Sequence, residues 1–256
     1  MKTILTIAGS DTCAGAGIQQ DLKTVTALGH YAVTVTTALT AQNTLGVRKV
    51  MPVPADMLQA QLDAVLGDIA VAAVKTGMIP DAQCARVVVD TLKGLDVPVV
   101  CDPVMISTSG TQLMSDECID IIRNELFPVC TLVTPNIPEA ARLVGLPDAP
   151  IDDMGRMLVE RYGTAFLLKG GHADGAMMTD RLYSADGAVR EYTSPRIATS
   201  NLHGTGCTLS SAVAALLAEG SSLPEAVRGA KVLIDKGIKQ GRSLRIGRGN
   251  GPLWLF

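Results

Sequence analysis

The 256 residues, 47% of them hydrophobic and 18% charged, suffice for one large α/β domain whose sheet is buried on both faces. A net charge of −3 without a basic block, and an aromatic content of only 3%, exclude the electrostatic footprint and stacking platforms of nucleic-acid binders and of proteins held on anionic membranes. The six cysteines are scattered, with no C-x-x-C pair and no histidine at metal-ligand spacing, so they read as reduced thiols in a cytoplasmic protein.

The first apolar run, 3–8, meets Gly9-Ser10-Asp11 too early to be a signal-peptide core or a membrane span, and predicts a buried strand. β-branched runs at 32–40, 71–76, 97–102, 131–134 and 165–169 predict further strands, and 177–192 predicts a hairpin about Asp186-Gly187. Amphipathic helices are predicted at 17–28, 55–66, 81–92, 115–126 and 151–162, with a small-residue helix at 209–218. This alternation implies a three-layer α/β/α protein with a mostly parallel central sheet. No linker, repeat or charge run divides it, so a single domain over 1–256 is expected.

Ligands of such sheets bind beyond the carboxyl ends of the strands. Polar and glycine-rich residues collect there: Gly9-Ser10-Asp11, Gln42-Asn43, Thr76-Gly77-Met78, Asp102-Pro103, Thr134-Pro135-Asn136 and Lys169-Gly170-Gly171. The sharpest signal is His203-Gly204-Thr205-Gly206-Cys207-Thr208, which opens the 209–218 helix. Residues with so little bulk at a helix N-terminus expose backbone N–H groups as a cradle for phosphate, aided by the macrodipole. Cys207 would sit at its mouth, its thiol pKa lowered from about 8.5 by the helix end and able to act as a base. The competing reading is a glycine turn closing on a tightly packed helix, with Cys207 a small buried residue.

Gly15-Ala16-Gly17 follows the first strand, but Gln20 stands where a dinucleotide fingerprint needs its third small residue, and no P-loop motif is present. Asn136 and Glu139 have the spacing of a capping box, and Glu139 equally suits a Mg²⁺ ligand. Asp102, kept extended by Pro103, projects at the same edge, and two carboxylates there need a cation between them. Lys169 can reach a nucleotide phosphate from its strand end. His172 and His203 read as supporting residues rather than metal ligands, because neither has a second ligand at suitable spacing. Met78 and Met105 stand where an apolar pocket wall would be.

Taken in order across nearly the whole chain, these stretches resemble the hydroxymethylpyrimidine/phosphomethylpyrimidine kinases of thiamine biosynthesis, in the ribokinase-like superfamily. The resemblance runs through Ala8-Gly9-Ser10-Asp11, Ala16-Gly17-Ile18-Gln19-Gln20-Asp21, Thr37 to Thr44, Lys75-Thr76-Gly77-Met78, Asp102-Pro103-Val104-Met105, Thr134 to Ala140, Lys169 to His172 and His203 to Thr208. It implies an enzyme that uses ATP and Mg²⁺ to phosphorylate a small pyrimidine alcohol and then its monophosphate. Gln42 would read the amino group and ring nitrogen, while Gly9, Asp11, Ala16, Met78 and Val104 would shape the substrate pocket. Gly204, Thr205 and Gly206 would form the anion hole and Cys207 would take the hydroxyl proton. Asp102 and Glu139 would manage the metal, and Lys169, with Asn136, Glu139 and Thr205, would hold the nucleotide. The resemblance also implies a homodimer.

Two departures stand out. The first loop reads Asp11-Thr12-Cys13-Ala14-Gly15 where many relatives have Asp-Pro-Ser-Gly-Gly, and the tail lacks a histidine often found near the end. A pyridoxal or pyridoxine kinase is the nearest rival, but 106–111 lacks the second thiol of the dual-cysteine pyridoxal kinases and Gln42 suits an aminopyrimidine. A silent pyrimidine sensor would have no need of the full catalytic set. The serine-, threonine- and glycine-rich segment 106–113 is expected to close as a lid.

Overall fold

The computed structural model describes residues 1–106, 112–170 and 175–256. The central strand β1 (Thr3–Ser10) is apolar at consecutive positions, as burial on both faces requires: Ile4 joins one core, Leu5 and Ile7 the other. Beside it lie β2 (Tyr31–Asn43) and β4 (Ala73–Thr76), both parallel to it. Then follow β5 (Val99–Cys101), β6 (Leu132–Val133) and β7 (Ala165–Leu168), again parallel. Antiparallel additions close both edges, β3 (Gly46–Pro52) on β2, and β8 (Met177–Tyr183) with β9 (Val189–Pro195) on β7. The sheet has nine strands in the order β3-β2-β1-β4-β5-β6-β7-β8-β9.

Helices α1 (Gly17–Ala27), α7 (Thr205–Ala218) and α8 (Leu223–Gly241) cover one face, sharing a core that includes Val25, Val213 and Ile234. The other face is covered by α2 (Ala55–Leu66), α3 (Ala82–Leu92), α4 (Asp116–Ile121), α5 (Ile137–Val144) and α6 (Ile151–Tyr162), around Leu58, Val88 and Leu158. The three-layer arrangement is the one the alternating pattern predicts. The chain leaves β1 toward β2 on one side and returns to β4 on the other, so the crevice at their carboxyl ends is the topological switch point.

Three elements depart from expectation. β2 runs on to Asn43 and pairs with β3, an edge strand the sequence reading omits, whose burial pattern shows no clean alternation. α8 is likewise a full helix missing from that reading. The helix predicted over 115–126 is regular only to Ile121, then widens to a π turn (Ile122–Leu126) and tightens to a 3₁₀ turn (Phe127–Val129) where Pro128 removes a donor. Most of the proposed 106–113 lid, residues 107–111, lies outside the described residues, as do Gly171 and His172. No helix among the described residues is long and apolar enough to cross a membrane.

The middle of the sheet carries an ion pair with no exposed surface. Lys75 Nζ on β4 lies 2.8 Å from both carboxylate oxygens of Asp21 on α1. Asp21 also accepts from Thr6 of β1 at 2.5 Å and from Ser211 of α7 at 2.7 Å. Four elements thus meet on one carboxylate. Removing one partner of such a pair strands the other charge, whereas removing both does not. Lys75→Met should therefore cost about 3–5 kcal/mol in urea unfolding, and Lys75→Met with Asp21→Leu should recover most of it.

Candidate active site

The turn into α7 is set by steric demand. Gly204 has φ +87°, and a Cβ there would lie 1.8 Å from the Gly15 carbonyl oxygen of the first loop. Only glycine tolerates both that conformation and that approach. The helix that follows is buried from Thr208 to Ala215 and made mostly of small residues, which lets it enter the centre of the molecule. The turn packs tightly, and Gly204, Thr205, Gly206 and the half-buried Cys207 line a cavity of about 590 Å³. A Cβ on Gly206 would lie 3.2 Å from Asp102 Oδ2 and 3.5 Å from Lys169 Nζ, so the cradle borders the charged cluster directly.

That cluster comes from three strand ends. Lys169 Nζ is 2.8 Å from Asp102 Oδ1, which also accepts from Thr134 Oγ1 at 3.3 Å. Asn136 and Glu139 do form the capping box of α5, each side chain accepting from the other's backbone N–H at 2.8 Å. The second Glu139 oxygen faces the Met105 N–H at 3.4 Å inside the cavity. Burial pushes the Glu139 carboxyl up to about 7, with Lys169 opposing and Asp102 reinforcing the shift. Burial would lower the Lys169 pKa, yet Asp102 and Glu139 raise it. Once Glu139 ionises, two carboxylates face one ammonium, and hard oxygen donors of this kind suit Mg²⁺.

The thiol of Cys207 corrects the sequence expectation. Burial pushes it up to about 11; Lys75 and the Gly17 backbone pull the other way, but Asp21 and Asp102 add to the rise. Burial and the neighbouring carboxylates outweigh the helix dipole.

The same cavity is lined by the residues assigned to the substrate. Gly9 packs on Met78, whose sulfur would lie 3.1 Å from a Cβ at Gly9, and Ala16, Val104 and Met105 share the wall. The Asp11 carboxylate accepts from the backbone N–H groups of Cys13, Gly15 and Ala16 at 3.0, 3.1 and 2.9 Å and faces His203 Nε2 at 2.8 Å. Burial alone would raise its pKa; these donors bring it down to about 2. Asp11, Cys13 and His203 also form a group of metal-ligand type within 4.8 Å, but the donors already crowding Asp11 make it an anion held in a cage. Gln42 reaches the same cavity beside a bulge in the β2–β3 pairing.

The structure thus gathers every sequence-assigned site residue around one cavity. It adds three to which the sequence reading gives no role, Lys75, Asp180 and Lys231, and it supplies the partners of His203, read there as a supporting residue. Lys75 lines the cavity with Cys207 and opposes the rise of its pKa, His203 touches both Asp11 and Gln42, and Asp180 with Lys231 forms a 2.7 Å ion pair that also holds the Gly170 N–H. A lysine inside an otherwise apolar strand is the one signal that could have exposed Lys75. The Asp180–Lys231 pair joins β8 to α8 across 51 residues and leaves no local trace.

A doubly wound sheet with an anion cradle at a helix start and a lysine–carboxylate cluster beside it defines a phosphotransferase of the ribokinase-like class. The family model for phosphomethylpyrimidine kinase matches residues 11–254. The hydroxymethylpyrimidine/phosphomethylpyrimidine kinase of Escherichia coli (strain K12) is 42% identical, over 100% of this chain and 98% of its own length. Among solved structures, the phosphomethylpyrimidine kinase of Clostridium difficile 630 superposes with a TM-score of 0.81 at 38% identity, covering 93% of this chain and 100% of that one. Pyridoxal kinase of Bacillus subtilis, solved as an ADP complex, superposes with a TM-score of 0.90 at 33% identity, covering 100% and 97%. The chain belongs to the phosphomethylpyrimidine kinase family.

The first loop yields a direct test. Ala14 stands at φ +59°, a conformation that costs an L-residue roughly 1–2 kcal/mol and glycine almost nothing. Ala14→Gly should raise stability by about 0.5–1 kcal/mol, read as a shift of the denaturant midpoint at unchanged slope.

Proposed function

We propose that this chain transfers the γ-phosphoryl group of ATP to the hydroxymethyl oxygen of 4-amino-5-hydroxymethyl-2-methylpyrimidine, and then phosphorylates the resulting monophosphate. The observation that carries the reading is one cavity lined by Gln42, Gly9 and Met78 together with the Asp102–Lys169–Glu139 cluster and the glycine cradle beside it. An amide edge recognises an aminopyrimidine, and the charged cluster suits a polyphosphate. The reaction lies at Cys207, in the same cavity.

Each residue has a distinct task. The cradle of Gly204, Thr205 and Gly206 directs backbone donors and the helix dipole at the transferring group. Lys169 neutralises phosphate charge, with Asn136 and Thr205 beside it. Asp102 and Glu139 would hold Mg²⁺, which when bound supplies positive charge along the polyphosphate. Lys75 stabilises the anionic form of Cys207, and Cys207 accepts the proton as the substrate oxygen bonds to phosphorus. The enzyme is read as one domain over 1–256 acting in the cytoplasm.

Side-by-side assays of hydroxymethylpyrimidine and pyridoxal with ATP, for the wild type and Cys207→Ala, test this assignment. The pyrimidine should be preferred, and the variant should lose about 10²–10⁴-fold in kcat. Preference for pyridoxal would select the kinase activity named for the Bacillus relative, and pyrimidine-independent ATP turnover would remove both readings. Because the thiol is pushed up and must be deprotonated to act, kcat should climb with pH above neutrality; a flat profile would remove Cys207 as the base.

Glu139 gives a second signed expectation. Its folded pKa of about 7 lies above the unfolded carboxyl value, so its contribution is complete below about pH 4.5 and is lost as pH rises through 7. Thermal unfolding of the ligand-free protein should show this decline, and Glu139→Gln should flatten it.

A further inference from the structure

Gln42 and His203 meet although 161 residues separate them, and their contact contains a conflict. The Gln42 side-chain nitrogen lies 3.3 Å from His203 Nε2. The same ring nitrogen lies 2.8 Å from the Asp11 carboxylate, which can only accept. Asp11 is held as the anion by its cage of backbone donors, so His203 Nε2 carries a hydrogen. Two donors would therefore face each other across that gap.

On the other flank, Thr40 Oγ1 donates to the Ser10 carbonyl at 2.8 Å, and lies 3.4 Å from the Gln42 oxygen. Its one hydrogen goes to the nearer acceptor, so it offers Gln42 lone pairs, and two acceptors would face each other. Half a turn of the carboxamide about its last bond gives the Thr40 lone pair a donor and makes the Gln42 oxygen the second, longer acceptor of the Nε2 hydrogen that Asp11 already takes, in a three-centre bond. The amide outline barely changes in that rotation, so the hydrogen-bond network decides between the two orientations.

We propose that His203, anchored by Asp11, is the positioning residue that fixes the Gln42 carboxamide with its oxygen toward the imidazole N–H and its amino group toward Thr40. One N–H and one lone pair then remain free, side by side in a set order, for the ring of the substrate. That order complements a ring nitrogen next to an exocyclic amino group. Pyridoxal carries oxygens in place of that edge and gains nothing from it. His203 would thereby act on specificity without touching the substrate. Its ring packs against Gly15, where a Cβ would lie 2.2 Å from His203 Cδ2, and its backbone N–H donates to the Gly251 carbonyl at 3.0 Å. The inference rests on the aminopyrimidine reading of the site.

Two experiments test it. His203→Leu should lower kcat/KM for the pyrimidine by about 10–100-fold, mostly through KM, and shrink the preference over pyridoxal, with KM for ATP unchanged. His203→Gln, whose amide N–H falls where Nε2 stood, should recover most of that loss. Equal losses for pyrimidine and pyridoxal, a change in the KM for ATP, or no rescue by glutamine would leave His203 a packing residue and overturn the proposal. If the wild type does not phosphorylate the pyrimidine, the functional reading itself fails, and the specificity proposal with it. Independently of any substrate, long-range ¹⁵N–¹H spectra of the imidazole should show a hydrogen on Nε2 of the wild-type protein. A hydrogen on Nδ1 alone would overturn the proposal even with pyrimidine turnover intact.

Discussion

An ammonium and a carboxylate can both be fully buried only if each satisfies the other and further donors complete the set. Lys75 and Asp21 meet that condition, and the requirement organises the molecule. Thr6 ties the pair to β1, Ser211 ties it to α7, and Lys75 itself belongs to β4. The elements that converge on this carboxylate are the ones that carry the catalytic edge. The first loop lies between β1 and α1, the Thr76-Gly77-Met78 turn ends β4, and the cradle opens α7. Gly77 shows how closely the site rests on the pair, because a Cβ there would approach Lys75 Nζ to 2.9 Å.

Above this foundation the cavity is arranged by charge. Charged groups line it in more than one place, Asp11 with His203 beside Gln42 and Asp102 with Lys169 and Glu139, while Gly9 and Met78 add apolar wall. Cys207 lines the same cavity and responds to the charges near it. Its pKa is raised by burial and by Asp21 and Asp102, and lowered by Lys75, so its proton affinity follows the charge brought into the cavity. Such a group is poorly described by its helix position alone. The N-terminal dipole carries about half an elementary charge, less than a full carboxylate or ammonium nearby.

Position along the chain also shapes what each part of the site does. Glu139 serves α5 and the cavity with different oxygens, so capping and ligation are compatible uses of one carboxylate. His203 likewise belongs to the cradle motif by sequence but works with Asp11 and Gln42, residues assigned to the substrate. Both residues were visible in the sequence; spacing gave Glu139 its capping role, but nothing local gave His203 its partners.

The sequence by itself determined the layered parallel architecture, because apolar β-branched runs alternating with amphipathic segments bury a sheet on both faces in no other simple way. It also brought Gly9-Ser10-Asp11, Asp102-Pro103 and Lys169-Gly170 to one edge, since the carboxyl ends of parallel strands share it. β3 and α8 were harder to read: β3 is a half-exposed edge strand, and α8 presents alanine and glycine where larger apolar residues would mark a stripe. Only the tertiary structure decided the protonation of Cys207, the burial of Lys75 and the partners of His203. Each depends on charges and hydrogen bonds that chain folding brings together across tens to hundreds of residues, and such interactions leave no periodicity to read.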